Sequence, residues 1–288
     1  MLTLEKFIEE CQRPKRLALS SRFPILVPSV VFTRRTIRKV KNKILLSTLN
    51  KSDYLPCIIA RHSSPLFRKL GDTDIQYQKN KVINLKIAIS ELDGLVIPPG
   101  KIFSFWENIG KITKKRGYVP GMVISNGKVG TGIGGGLCQL SNLLTWIFLH
   151  ANTEIVERYH HSVDVFPDSG RTIPFGSGAT VFNNYLDLQV KNISNYPIQL
   201  KLQMTDTQLK GQLLSTCFSK EKYHLSERNH HFVNFKGKYF RYNEIYREVF
   251  SNGIKIKEEK IFTNFAPVVY KVDRDLLEKN KYSIIDYL

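Results

Sequence analysis

A glycine-rich stretch that runs directly into an apolar segment constrains the fold of this chain more than any other feature. Five of the seven residues from 130 to 136 are glycine, and the mostly apolar residues 137–149 follow them. Glycine permits positive φ angles and close backbone approach, so the run predicts a tight turn. The apolar segment has the length and pattern of a helix, which would place Cys138 and Gln139 in its first turn.

A cysteine at the start of a helix is a candidate nucleophile. The first N–H groups of a helix have no intrahelical partner, and the helix dipole adds a partial positive charge, so the thiolate form is favoured there. The amides of Gly134, Gly135 and Gly136 are candidates to hold an oxyanion. The alternative is that Cys138 is a small buried hydrophobic residue, as most cysteines are.

The same glycines also match, in letters, the Gly-x-Gly-x-x-Gly fingerprint of dinucleotide-binding folds. That fingerprint follows a buried parallel strand, whereas residues 123–129 predict a hairpin with a turn at Asn126 and Gly127. No series of alternating strands and helices follows. The pattern therefore disfavours a nucleotide site, and no cofactor is expected.

Composition describes a folded chain with a strong positive charge. Hydrophobic residues make up 42% of the 288 positions, and Lys plus Arg exceed Asp plus Glu by 18. Such a balance indicates an anionic partner, which would be nucleic acid, an acidic membrane surface or an anionic substrate. The first 50 residues hold eleven Lys and Arg against three Glu.

Cysteine usage and apolar runs indicate a cytoplasmic protein. The four cysteines show neither paired nor zinc-type spacing, so we expect no disulfide framework and no metal site. The apolar run at residues 23–32 contains two prolines and is too short for a leader or a membrane span. The expected location is the cytoplasm, with possible attachment to the inner membrane face.

Residues 29–49 predict a basic amphipathic helix, which could lie on an anionic membrane surface. The alternative is a solvated basic face over a small core. Aromatic residues are not interleaved with its basic residues, so a nucleic-acid partner is not expected.

Hydrophobic periods elsewhere predict an α+β fold. The pattern at residues 79–95 is helical, whereas residues 186–191 and 198–204 alternate as antiparallel strands with one wet face. We therefore expect a mixed or antiparallel β-sheet core with a glycine-loop-to-helix element, N-terminal helices and a β-rich C-terminal part. Its predicted divisions are a basic helical segment at 1–55, a core domain at 56–218 and a C-terminal extension packed on the core at 219–288.

Five motifs together resemble the VanW family, a group associated with B-type vancomycin resistance clusters. The resemblance runs from about residue 58 to residue 214, and this chain is similar to the stand-alone form of the family. The motifs are Pro99-Gly-Lys-Ile-Phe-Ser-Phe, Gly117-Tyr-Val-Pro-Gly, Gly134-Gly-Gly-Leu-Cys-Gln-Leu-Ser, Glu157-Arg-Tyr-His-His-Ser and Gly178-Ala-Thr-Val.

The resemblance implies a link to peptidoglycan precursor metabolism and glycopeptide resistance. Some exported members resemble cysteine-dependent L,D-transpeptidases, which implies that Cys138 and His161 are the catalytic pair. His160 is the alternative base, because adjacent strand residues point to opposite faces. Gly178 stands where many exported members have Asp, and such an Asp could orient the histidine.

Two functions are therefore open. The first is an acyl or peptidyl transferase or hydrolase, in which Cys138 attacks an amide or ester carbonyl and His161 carries the proton. The second is a non-catalytic binding module at the membrane face for a cell-wall precursor or its anionic carrier, with the glycines as an anion nest. In either case the partner is a cell-wall precursor or a muropeptide-like ligand. Its candidate binding residues are Gly134, Gly135, Gly136, Gln139, Arg171, Arg61 and Trp106.

Overall fold

The computed structural model describes residues 6, 9, 25, 27–67, 75–125, 128–160, 163–164, 173–182, 186–279 and 282–287. Its helices are α1 (Val27–Leu45), α2 (Ile75–Leu92), α3 (Phe105–Ile109), α4 (Cys138–Leu149) and α5 (Arg274–Lys279). Its strands are β1 (Cys57–Pro65), β2 (Val96–Ile97), β3 (Ile102–Ser104), β4 (Pro120–Ser125), β5 (Lys128–Ile133), β6 (Thr153–Glu157), β7 (Gln189–Asn192), β8 (Ile198–Met204), β9 (Gln208–Ser215), β10 (Glu221–Phe235), β11 (Lys238–Ser251), β12 (Ile254–Pro267) and β13 (Ser283–Tyr287). The predicted α+β class is confirmed.

Helix α4 packs across a four-stranded antiparallel sheet with the strand order β1-β9-β8-β2. The helix carries apolar side chains on most of its surface, and most of these side chains are accordingly buried. Leu140, Leu144, Ile147 and Phe148 have no exposed surface. Glycine at position 211 of β9 lets Leu143 and Ile147 approach the sheet closely. This layer contains most of the main hydrophobic core.

The predicted hairpin before the glycines is confirmed. Strands β4 and β5 pair antiparallel, with Val123 opposite Gly130. Gly130 and Gly132 therefore belong to a strand, and β4 and β5 form a two-stranded sheet of their own. This arrangement differs from the parallel strand and loop of a dinucleotide site.

Strand β7 pairs with β3 and β6 in a separate three-stranded sheet. The alternation in this region predicted that Asp187 and Gln189 face water, and that prediction is wrong. Both are buried, with exposed fractions of 1% and 5%. Their polar atoms meet partners supplied by distant parts of the chain.

The C-terminal residues form a sheet with the order β12-β11-β10-β13, in which β13 runs parallel to β10. A small apolar cluster of Val233, Phe240 and Phe265 lies on it. Polar contacts join this sheet to the rest of the chain: the Arg247 guanidinium donates to the Thr153 carbonyl at 3.1 Å. Among the described residues, no helix combines the length and apolar character that a membrane crossing requires.

Candidate functional site

The glycine turn, Gly134 to Leu137, links β5 to α4 in the way that the sequence predicts. Gly134 and Gly136 have φ angles of +76° and +95°, which side chains rarely tolerate. Gly135 has a different reason to be glycine. A Cβ atom there would lie well inside 3.0 Å of the backbone of Gly121 in β4. The turn and β4 therefore cross with their backbones in contact, and backbone conformation together with packing accounts for these three glycines.

Buried Asn84 of α2 holds this crossing together. Its side-chain amide donates to the carbonyls of Gly135 at 2.9 Å and Val119 at 3.0 Å, and its oxygen accepts from the Val119 amide at 2.9 Å. Asn84 has no exposed surface. Because both ends of the side chain are satisfied, the residue fixes the turn against α2 and β4.

The turn offers fewer amides to a ligand than the sequence suggests. The Gly134 amide donates to Val119 at 3.0 Å, and the Gly135 amide donates to Gly132 at 3.1 Å. Within the described part of the chain, no backbone carbonyl accepts from the amides of Gly136, Leu137 or Cys138. An anion at this helix start would therefore meet at most those three donors.

Cys138 begins α4 as predicted, and its thiol faces the protein interior. The residue packs against the main core, and Sγ lies 3.6 Å from the Val181 carbonyl, to which the thiol donates. Burial raises the pKa of Cys138 above its usual value, while its backbone hydrogen bonds lower it less. This burial opposes the effect that the helix start was expected to have on the thiolate, and the catalytic role of Cys138 stays a prediction.

Residues 178–181 cover this first turn of α4. The Ser141 hydroxyl donates to the Ala179 carbonyl at 2.6 Å. The Asn142 side chain occupies the space into which a side chain at position 178 would project. Glycine at position 178, where exported members have Asp, therefore leaves room for the Asn142 side chain in this chain.

Of the two predicted histidines, only His160 belongs to the described residues, and the described partner of the Cys138 thiol is the Val181 carbonyl. His160 is exposed and lies three residues beyond the end of β6. His161 and Arg171 lie outside the described residues. Their predicted roles as base and carboxylate ligand stay predictions.

The other predicted binding residues are dispersed. The Gln139 amide nitrogen donates to the Ser64 hydroxyl at 3.0 Å and to the Pro65 carbonyl at 2.7 Å, so it fastens α4 to the end of β1. Trp106 is only 8% exposed and donates to the Leu186 carbonyl at 2.8 Å. It is a core residue. Arg61 is exposed in the middle of β1, not at its end.

Arg61 belongs to a cationic surface, the basic sheet face, on the side of the four-stranded sheet opposite α4. Arg61 of β1 and Lys201 of β8 both pair with Gln212 of β9. Lys210 lies two residues from Gln212 on β9 and therefore on the same face of the sheet. Adjacent strands lie about 4.8 Å apart, so the three basic residues share a small area. Among described residues, Arg61, Lys201 and Lys210 have no ion pair, although Lys201 lies 4.5 Å from the Tyr54 ring centre.

Sequence patterns did not point to Asp187 or Arg158, because the partners of both residues are distant in sequence. Asp187 accepts from the Ser104 hydroxyl at 2.6 Å and from the Trp106 amide at 3.2 Å. Burial raises its pKa. Arg158 donates to the Gly178 carbonyl at 2.8 Å and lies 3.6 Å from the Phe262 ring centre, and burial lowers its pKa to about 9. The only sequence signal for Arg158 was its position inside a motif.

Several motifs of the sequence thus contact one another around the glycine turn and the first turn of α4: Gly121 contacts Gly135, and Arg158 donates to Gly178. The fold and this site define an α+β protein in which a packed glycine turn leads into a buried helix that begins with a sheltered cysteine. The family model "VanW like protein" matches residues 80–214. The chain belongs to the VanW family, as the motifs predicted.

Two known proteins show the extent of the likeness. Vancomycin B-type resistance protein VanW of Enterococcus faecalis is 30% identical over 281 residues, which cover 92% of this chain and 99% of that protein. The uncharacterized protein YoaR of Bacillus subtilis is 29% identical over 143 residues, which cover 50% of this chain and 44% of that protein. No solved structure matches this chain.

Proposed function

We propose that this chain serves in glycopeptide resistance as a non-catalytic recognition protein for an anionic cell-wall precursor. The link to resistance is supported by the relative named vancomycin B-type resistance protein, which aligns with nearly the whole chain. The choice of recognition over catalysis is supported by the state of one side chain, Cys138.

The partly buried thiol of Cys138, which packs against the core and donates to a carbonyl, is the observation that carries the proposal. A nucleophilic cysteine needs an accessible thiolate. Here the thiol donates to the Val181 carbonyl, and its pKa lies above the usual value because of burial. Attack on a carbonyl would require residues 178–181 to move away and the thiol to lose its proton at a site that disfavours the charge.

The basic sheet face suggests the chemical class of the ligand. Arg61 is exposed, and Lys201 and Lys210 share its side of the sheet. Cations without a carboxylate partner attract phosphate and carboxylate groups, and Arg can bind either group with two hydrogen bonds. A precursor that carries a diphosphate and a peptide carboxylate has both groups.

The competing function is acyl transfer through a Cys138 thioester. It is favoured by the three amides at positions 136–138, which have no backbone acceptor among the described residues and could hold an oxyanion. In that mechanism Cys138 would attack an amide or ester carbonyl, and His161 would take the thiol proton.

Thiol reactivity separates the two functions. The protein is treated with iodoacetamide over a range of pH, and alkylation at each cysteine is followed by mass spectrometry. We expect Cys138 to react more slowly than Cys57 and Cys217, because its thiol is neutral and covered. A folded Cys138→Ala variant should also retain its effect on vancomycin susceptibility in a cell that depends on it. Fast alkylation at Cys138 together with loss of that effect would establish the acyl-transfer function instead.

Calorimetry tests the ligand class. The probe is a uridine-diphosphate-linked muramyl pentapeptide, titrated into the full chain. We expect Arg61→Glu with Lys210→Glu to weaken binding by at least about tenfold, since each lost charged contact contributes about 1 kcal/mol or more. The control is Lys111→Glu with Lys114→Glu, which changes the same charge at two other exposed positions. Equal affinity in both double variants, or no binding to the unaltered chain, would rule out this face as the ligand site.

A further inference from the structure

Helix α1 is attached to the molecule by its polar side. The Arg38 guanidinium donates to both carboxylate oxygens of Glu157, at 2.6 Å and 2.7 Å. One turn later, the Asn42 amide donates to Glu107 at 2.8 Å, and Asn42 is only 4% exposed. Residues four apart share one face of a helix, so Arg38 and Asn42 define the inner face of α1.

The apolar side of α1 points away from the protein. Ile37, Val40 and Ile44 recur at spacings of three and four, and they are 62%, 54% and 76% exposed. With 3.6 residues per turn, this row lies nearly opposite Arg38 and Asn42. Phe32, which is 72% exposed, lies nearer the helix start, beside this row and on the side of Lys39 and Lys43. The usual arrangement, in which the apolar stripe faces the core, is reversed here.

Exposed cations flank this apolar row on both sides. Arg34 and Lys41 lie on one side, and Lys39 and Lys43 lie on the other. The helix contains no Asp or Glu. None of these four cations has an ion pair with a described residue. The outer surface of α1 thus combines an apolar centre with basic margins.

This combination selects one kind of partner. A solvated basic face over a core would have its apolar residues buried, which is the opposite of what is observed. Nucleic acid would neutralise the cations but would leave the apolar row in water. A second copy pairing through the same row would bring like charges of both copies together. A bilayer with anionic lipids takes both parts, because acyl chains accept the apolar row and phosphates accept the basic margins.

We propose that α1 docks the protein on the surface of an anionic lipid bilayer. The row of Ile37, Val40 and Ile44 enters the boundary between headgroups and acyl chains. The aliphatic stems of the flanking Lys and Arg residues lie along that boundary while their charges reach the lipid phosphates. The inner face stays bound to Glu157 and Glu107, so the rest of the molecule is held against the membrane. The proposal is independent of the ligand and of any chemistry at Cys138.

Vesicle co-sedimentation with the full chain tests the docking. The vesicles are phosphatidylglycerol with phosphatidylcholine in equal parts, and phosphatidylcholine alone is the comparison. We expect binding to the anionic vesicles only. Val40→Glu with Ile44→Glu should reduce it by at least about tenfold, as should Arg34→Glu with Lys41→Glu. Lys111→Glu with Lys114→Glu, which makes the same charge change outside α1, should leave binding within about twofold.

Three results would overturn the proposal. Binding that is unchanged by Val40→Glu with Ile44→Glu would mean that the apolar row takes no part. A large drop in melting temperature for that variant would mean that the row is covered within the protein itself. A dimer in the unaltered protein that the same variant converts to a monomer, as seen by sedimentation velocity, would assign the row to a second copy.

Discussion

Gly135 and Gly130 lie on the same stretch of chain but differ in what a side chain would meet. A Cβ atom at Gly135 would press into the backbone of Gly121, whereas nothing lies within 4 Å of one at Gly130. We expect Gly135→Ala to lower the free energy of unfolding by about 3 kcal/mol or more, because backbone cannot move aside as a flexible side chain can. Gly130→Ala should change it by less than about 0.5 kcal/mol. Urea unfolding of both variants measures the difference.

Equal stabilities for these two variants would show that the turn does not press against β4. The comparison also bears on function. If the glycines serve packing, the Gly135→Ala protein should have a lower free energy of unfolding, while its folded fraction binds the precursor with unchanged affinity. A variant with normal stability and no precursor binding would instead assign the turn to the ligand.

The thiol of Cys138 shows how residues distant in sequence can oppose an effect that a local pattern predicts. Its position at a helix start was predictable from the glycine run, and a helix dipole favours an anion there by about 0.3–1 kcal/mol. Burial of a charge costs several kcal/mol, so it dominates where it occurs. The burial comes from residues 178–181, which lie some forty positions later in the chain. No local pattern at Cys138 contains that information.

At the scale of elements, the attachment of α1 depends on the Arg38–Glu157 pair. Its side chains are 19% and 14% exposed, and the hydrogen bonds that Arg38 donates to Glu157 raise the pKa of Arg38. We expect a double-mutant cycle with Arg38→Ala and Glu157→Gln to give a coupling energy of about 1–2 kcal/mol. The exposed Arg274–Asp286 pair, 48% and 44% exposed, is a matched control in which no measurable coupling is expected.

Limited proteolysis gives a second measurement of the same pair. Glu157→Gln should expose α1 to trypsin at its Lys and Arg residues, because one side of its attachment is weakened. Cleavage of α1 at the same rate in the variant and in the unaltered protein would mean that Asn42 alone holds the helix.

Elements with a local signal were predictable, and those fixed by distant partners were not. Helix α4 and the β4–β5 hairpin follow from glycines and an apolar period that adjoin them in sequence. The alternation predicted that Asp187 and Gln189 are exposed to solvent. It could not reveal that Ser104 and Asn42, which are distant in sequence, form hydrogen bonds with them in the interior. The same limit applies to α1, whose amphipathic pattern predicted a helix but did not show which face is attached.

At the scale of the whole molecule, the α+β class and the family were predictable because each draws on several independent motifs. The three-part division of the chain stays a prediction. The apolar clusters are compatible with it, since the main core uses residues between 60 and 213 and the C-terminal sheet has a small cluster of its own. The contacts of Arg247 and Asn243 with Thr153 and Phe175 are long-range polar contacts that composition could not foretell.

Histidines from different layers should make the stability of the whole molecule depend on pH. His62 of β1 and His150, the residue that follows α4, both lie close to Trp146, with ring centres 5.9 Å and 4.9 Å from it. Burial is the main cause that lowers the pKa of each from 6.5, and His224 of β10 lowers that of His150 further by repulsion. The folded protein therefore binds these protons less tightly than the unfolded chain does.

The sign of the effect follows from that difference. Well above pH 6.5, at about pH 8, neither state is protonated at these histidines, so their contribution to stability is complete. As the pH falls below that value, the unfolded chain takes up protons first, and stability decreases through the lower folded pKa values. Carboxylates with a lowered pKa, such as Glu244 at about 2, lose their contribution only below 4.5. The interval between about pH 6.5 and about pH 5 therefore isolates the histidines.

Urea unfolding followed by tryptophan fluorescence should show a lower midpoint at about pH 5 than at about pH 8. His150→Gln should flatten this dependence, because a neutral amide cannot take up the proton yet can still donate to the Trp146 carbonyl. His160→Gln, at an exposed position outside the cluster, should keep the slope of the unaltered protein. If the urea midpoint changes with pH equally in His150→Gln and His160→Gln, the histidines around Trp146 do not cause the pH dependence of stability.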